Sequence, residues 1–113
     1  MNRAAIVCGL LLVVGSAHAS DRMEVCAKMR EGYGRTSPGY QVNAIVTTGQ
    51  ELAAKTNDYT DYRIYATYVV IFWASGQATV IEMQFPYITA IPSQGMDQEG
   101  RTWEVGQFTG ICI

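Results

Sequence analysis

Asp97, Glu99 and Arg101, with Glu104 further on and Trp103 between them, cluster acidic and basic side chains near a long polar loop. Two carboxylates beside a guanidinium could bind a cation, hydrolyse a glycosidic bond or dock a charged partner. Calcium takes about six to eight oxygen ligands, and this stretch lacks the spacing of a calcium loop. Glycoside hydrolysis needs two carboxyl groups held about 5–10 Å apart across a cleft. Asp58 and Asp61 form a second such pair, which a solvated turn explains equally well.

The only histidine, His18, lies in a segment that reads as a leader. A mature chain without histidine has no Ser-His-Asp or Cys-His relay, no His-ligated zinc and no imidazole base. The chemistry left open is carboxylate-driven hydrolysis. Gly32-Tyr33-Gly34 lacks the third glycine of a dinucleotide fingerprint and follows no expected strand, so no cofactor is expected.

Residues 1–19 read as a signal peptide: Arg3 supplies the positive start, Ala4 to Val14 the apolar run, and Ala17-His18-Ala19 the small-residue cleavage pattern. Cys8 lacks the small residue expected next to a lipidated cysteine. Removal leaves 94 residues with seven basic and ten acidic side chains, one domain over residues 20–113 with a net charge near −3. A weakly acidic chain with no basic cluster does not suit nucleic acid or anionic membranes. No stable membrane insertion is expected after cleavage, and the protein reads as periplasmic or secreted.

Cys26 and Cys112, at opposite ends of the mature chain, are expected to form one disulfide in an oxidising compartment. Asp21 and Glu24 resemble a capping pair, and Met23, Val25, Cys26, Ala27 and Met29 share one broad side at helical spacing, so residues 21–31 read as an amphipathic helix. Gly32 to Gly39 is a loop. Tyr40 to Thr47 alternates as a half-buried strand, with a helix as the alternative, and Thr48 with Glu51 opens a short helix to about Thr56.

Tyr62 to Phe85, broken by Ser75-Gly76, is rich in β-branched and aromatic residues and reads as the central hairpin. A two-residue turn pairs Trp73 with Ala78 and Tyr68 with Met83. It places Ile64, Ala66, Tyr68, Val70 and Phe72 on the core side with Ile81, Met83 and Phe85. Tyr65 and Trp73 then share a mixed outer face. A three-residue turn with left-handed Gly76 would slip this register. The tyrosines at 59, 62, 65 and 68 fall on alternate faces of a strand and cannot form one platform. Pro86 ends the second arm, Tyr87 to Ile91 is a short edge segment, Pro92 to Gly100 a polar loop, and Arg101 to Ile113 a last strand.

The expected architecture is α+β: an N-terminal helix packed on a four-stranded antiparallel sheet or small open barrel, stapled by one disulfide. The stretch from Phe72 to Val80 (FWASGQATV), with a cysteine near each end of the mature chain, resembles the hairpin of bacterial periplasmic inhibitors of C-type lysozyme. That resemblance implies a small β-barrel that blocks a host enzyme. Ala74 and Ser75 stand where that family carries a lysine, and its serine-glycine inhibitory loop has no counterpart in Asn57 to Tyr62. The leading expectation is therefore a non-enzymatic exported module that binds another protein, inhibitor-like or immunity-like, through Tyr65, Trp73, Asp97, Glu99 and Arg101. The alternatives are a carboxylate-based hydrolase of a cell-envelope polymer and a structural subunit of an envelope assembly.

Overall fold

The computed structural model describes residues 20–113, so the signal-peptide reading, with Cys8 and His18, falls outside the described residues. Six strands form: β1 (Ser20–Met29), β2 (Tyr40–Thr48), β3 (Thr67–Phe72), β4 (Ala78–Met83), β5 (Ser93–Asp97) and β6 (Thr102–Gln107). One helix, α1 (Gly49–Thr56), follows β2. Each strand pairs antiparallel with the next and β6 returns to β1, closing a barrel. The expected N-terminal helix on a four-stranded sheet or open barrel does not form.

Residues 21–31 are the main correction. Met23, Val25, Ala27 and Met29 point inward at strand period, while Glu24, Cys26 and Lys28 alternate with them and face away. The segment is rich in residues that also suit helices, but pairing on both sides, to β2 and to β6, decides its conformation. Cys26 faces outward because the disulfide clamps the C-terminal tail to the outside of the wall. Its Cα lies 5.4 Å from that of Cys112.

β2 and α1 form where the alternation and the capping box place them. Thr48 accepts from the Glu51 N–H at 3.2 Å, and Asn57 ends the helix in the left-handed region with its N–H bonded to the Ala53 carbonyl.

The hairpin is correct in kind but shifted in register. β3 pairs with β4 as Phe72↔Ala78, Val70↔Val80 and Tyr68↔Glu82. The loop has three residues, Ala74 to Gly76, closed by Trp73 N–H to the Gln77 carbonyl at 2.8 Å, with Gly76 at φ 88°. The slip moves every β3 side chain to the other face. Val69 and Ile71 now join Ile81 and Met83 in the core with Val25, Ala27, Ala44, Trp103 and Val105, and Trp73 packs against this cluster. Phe72 and Phe85, expected inside, are exposed.

Tyr68 and Val70 face outward yet are buried. Tyr62 stacks edge-on against Tyr68 at 5.6 Å. The Tyr68 hydroxyl accepts from the Arg63 N–H at 2.8 Å and donates to Glu82 Oε1 at 2.9 Å, which binds the irregular 57–66 segment to the wall. Burial, with smaller contributions from Glu82, pushes this phenol above its ordinary pKa.

The stretch from Pro92 to Gly100 contains β5 and the start of a second hairpin, where the sequence reads as a loop. The residues from Tyr87 to Ile91 are irregular, and β6 stops at Gln107.

Candidate functional site: the aromatic mouth of the barrel

An up-and-down barrel gathers alternate loops at one end. Here the β1–β2, β3–β4 and β5–β6 connections surround a mouth of about 620 Å³. Its lining comes from strand ends: Met29 of β1, Tyr40 of β2, Trp73 after β3, Thr79 of β4 and Trp103 of β6, with Gln77, Glu99 and Arg101 on the rim. Tyr40 meets Trp73 edge-on at 5.5 Å, and the two indoles lie 6.3 Å apart at 30°. Tyr40 and Trp103 are 6.4 Å apart, so the three rings form one continuous aromatic floor.

Both indole N–H groups are bonded within the barrel. Trp73 Nε1 donates to Thr79 Oγ1 at 2.8 Å, and Trp103 Nε1 donates to Asp97 Oδ2 at 2.9 Å. These bonds fix the orientation of each ring. Trp103 is buried, Trp73 half-buried and Tyr40 partly exposed.

Asp97 lies beneath the rim with its side chain fully buried. Its Oδ1 accepts from the backbone N–H groups of Glu99 and Arg101, and its Oδ2 from Arg101 Nε at 2.8 Å and from Trp103. Four donors fill the roughly four lone-pair positions of a carboxylate. Burial alone would raise this acid, but the hydrogen bonds from Trp103, Arg101 and Glu99 outweigh it and hold its pKa below the ordinary value. Asp97 is a fixed anion that orders the β5–β6 turn; it carries no proton to donate near neutral pH.

The two hairpins at this end are alike. Asp97 N–H bonds to the Arg101 carbonyl at 2.9 Å across a three-residue loop with Gly100 at φ 82°, as Trp73 does to Gln77 across the loop ending in Gly76. Where the β4–β5 ladder stops, the Gln98 amide takes the place of backbone. Its Oε1 accepts from the Val80 N–H and its Nε2 donates to the Ala78 carbonyl, each at 2.9 Å. Glu99 remains exposed, with Arg101 Nη2 at 3.6 Å.

No protein family, curated protein or solved structure matches this chain.

Of the residues singled out from sequence, Trp73, Glu99 and Arg101 line the mouth and Asp97 lies directly under it. Tyr65 does not join them. It sits in the 57–66 segment at the other end of the barrel, almost fully exposed, beside Ile64 and Phe85 along an outer groove of about 850 Å³. The shared face expected for Tyr65 and Trp73 does not exist, because Trp73 points inward. Tyr40 and Trp103 were not among those residues. The inward parity of Tyr40 with Val42 and Ala44, together with its place at a strand start, is the signal that could have marked it.

Of the other acidic pair, Asp58 is half-buried and Asp61 solvent-exposed. A hydrogen bond from Asp61 lowers Asp58, and the same bond with the Asp58 charge raises Asp61. Asp58 Oδ1 also accepts from the Thr60 N–H and hydroxyl, the pattern of a self-capped turn. Among the described residues, no group of three or more His, Cys, Asp or Glu side chains is placed to hold a metal ion.

Proposed function

We propose that this protein is an exported, non-enzymatic binding module whose barrel mouth engages another protein, in the manner of an inhibitor or an immunity partner. The observation that carries this reading is the convergence of Tyr40, Trp73 and Trp103 with Glu99 and Arg101 at one end of a closed barrel. Tyr, Trp and Arg dominate binding hot spots because rigid rings and a planar guanidinium lose little freedom on docking. A rim of exposed charge around a drier aromatic centre is the usual anatomy of a protein interface.

Export is supported by the leader-like sequence and by the Cys26–Cys112 disulfide, which persists in oxidising compartments. No helix among the described residues is long and apolar enough to cross a membrane.

The test is co-purification from the periplasmic or secreted fraction of the native host, followed by affinity measurement with the recovered protein. The double variant Gln77→Ala, Glu99→Arg is expected to keep the wild-type melting temperature and lose the partner. Equal affinity of the double variant and the wild type would remove the mouth as the interface. Turnover of an envelope glycan by the purified protein, with no partner recovered, would return the hydrolase alternative.

A further inference from the structure

One side chain at the mouth end has no explanation within the fold. The chain leaves β1 at Met29 and enters β2 at Tyr40, the two residues whose side chains line the mouth from this side. Between them the loop is pinned at its base. Arg30 bridges to Thr36, the Glu31 N–H donates to the Arg35 carbonyl at 2.7 Å, and the Ser37 N–H donates to the Met29 carbonyl at 2.8 Å. The buried Ser37 hydroxyl in turn accepts from the Met29 N–H at 2.9 Å. Above this ladder stands a tight turn, Gly32–Gly34, with Tyr33 at its apex.

Tyr33 has φ 62° and ψ 33°, a left-handed conformation that an aromatic L-residue adopts only at an energetic cost. Asn57 is the other non-glycine residue at positive φ among the described residues, and it has a reason: it caps α1, a place where asparagine is tolerated. Tyr33 and Gly34 are the central pair of a hairpin turn closed by the Arg35 N–H on the Gly32 carbonyl at 3.4 Å, which needs positive φ at both positions, but an aromatic residue stands where asparagine or glycine is the usual occupant. The Tyr33 side chain is 99% exposed, and among the described residues its ring makes no aromatic contact and its hydroxyl no hydrogen bond. A glycine would meet the same turn without strain. The fold thus carries a strained, solvent-bathed aromatic ring that does nothing for its stability.

Strain of this kind, held by a well-determined surround, is characteristic of functional positions. We propose that Tyr33 is the anchor side chain of the interface, inserting into a cleft of the partner protein that has apolar walls and a hydrogen-bond acceptor at its floor. The inference rests on the reading that the mouth end binds a protein.

The pinned base makes the loop pre-organised, so little conformational freedom is lost when the ring is gripped. Tyrosine brings contact area at the cost of only two side-chain torsions, and its hydroxyl asks for an acceptor. Glu31 and Arg35 flank the turn, and neither forms an ion pair among the described residues. One charge of each sign beside the ring fits a protein rim of complementary charges, and it gives no net attraction to an anionic lipid surface.

The experiment places a benzoylphenylalanine photo-crosslinker at position 33 or, separately, at position 99 of the exported chain in its native host. The adducts are identified and the captured protein is purified for titration. Positions 33 and 99 are expected to capture the same protein. Tyr33→Gly is expected to melt no lower than the wild type while binding that protein about 30-fold more weakly, the scale of a hot-spot truncation. Tyr33→Phe should show a smaller loss, since it keeps the ring and drops the hydroxyl.

A Tyr33→Gly variant that binds within twofold of the wild type overturns the anchor. So does capture from position 99 with none from 33, an outcome that leaves the mouth as the interface. Failure of both positions to capture a protein removes the two readings together. Sedimentation of the wild type, but not Tyr33→Gly, with phosphatidylcholine vesicles would assign the ring to a lipid surface and likewise overturn the proposal.

Discussion

Trp103 and Asp97 are joined across the β5–β6 hairpin by a 2.9 Å hydrogen bond from the indole Nε1 to the buried Oδ2. The bond makes the aromatic floor of the mouth and the turn at its rim a single unit. The indole N–H has a charged acceptor only while the carboxylate is ionised, and the turn that carries Glu99 and Arg101 is built on the same carboxylate.

Replacing Asp97 with Asn tests this directly. The amide keeps the shape but turns an NH₂ group toward donors, leaving at least one buried donor unsatisfied. The expected loss is about 2–3 kcal/mol in urea unfolding at pH 7. The folded carboxyl has a lowered pKa, so its stabilisation is fully present above the unfolded value near 3.8 and is lost as pH falls through the folded value. The wild-type advantage over Asp97→Asn should therefore be constant from about pH 5 to 7 and shrink below about pH 4. A gap independent of pH down to pH 2 would mean that the ionised form is not what the turn requires.

Gly95 is the point where β5 lies closest to the core. A Cβ there would fall 2.5 Å from Ile81 Cγ2, 2.7 Å from Met83 Sδ and 2.8 Å from the Glu82 carbonyl oxygen. The methionine sulfur can shift, but the carbonyl cannot move without breaking the short β4–β5 ladder. Gly95→Ala is expected to cost about 2–3 kcal/mol, at the upper end of overpacking effects, and to lower the melting temperature by more than 5 °C. Gly32→Ala, with nothing within 4 Å of the added methyl, is the control and should leave stability nearly unchanged.

The same glycine explains why β5 was not legible in the sequence. A strand is recognised by apolar residues at every second position, but two of the inward positions of β5 are Gly95 and Asp97. One is empty to admit Ile81 and Met83, and the other is polar because it anchors a turn. β1 was obscured for the opposite reason. Its outward Cys26 is apolar in type, so a clean alternation of Met23, Val25, Ala27 and Met29 looked like the broad side of a helix. In the central hairpin the two arms, their strand character and the inward face of β4 were readable. The register was not, because it turns on whether the loop holds two residues or three, and Ser75-Gly76 serves either. At the mouth, Trp73, Asp97, Glu99 and Arg101 could be chosen by type, whereas their proximity depends on barrel closure, which no local pattern encodes.

The Cys26–Cys112 bridge closes a loop of 86 residues, almost the whole described chain. On the chain-entropy account it should contribute about 4–5 kcal/mol, a large part of the roughly 5–15 kcal/mol typical of a domain. Gly39 lies against both sulfurs, so the clamp also fixes the approach to β2. Cys112→Ser, or reduction with a phosphine, should lower the unfolding free energy by that amount without changing far-ultraviolet dichroism under native conditions. A shift under 1 kcal/mol would mean that the C-terminal tail stays docked without the bond.

The two tryptophans differ in exposure, and this gives the mouth its own optical reporter. Trp103 is 4% exposed, while Trp73 is half-buried at the opening beside Tyr40. In Trp103→Phe the remaining Trp73 emission should be quenched by acrylamide several-fold more efficiently than the Trp103 emission in Trp73→Phe. Trp103→Phe also removes one donor from Asp97, so a stability loss of about 1–3 kcal/mol is expected, and the quenching belongs well below its melting temperature. Equal quenching constants would place Trp73 as deep as Trp103 and close the mouth to any partner. Docking of a partner over the aromatic floor should protect Trp73 from acrylamide while leaving Trp103 as it was, which separates binding at the mouth from binding along the groove beside Tyr65.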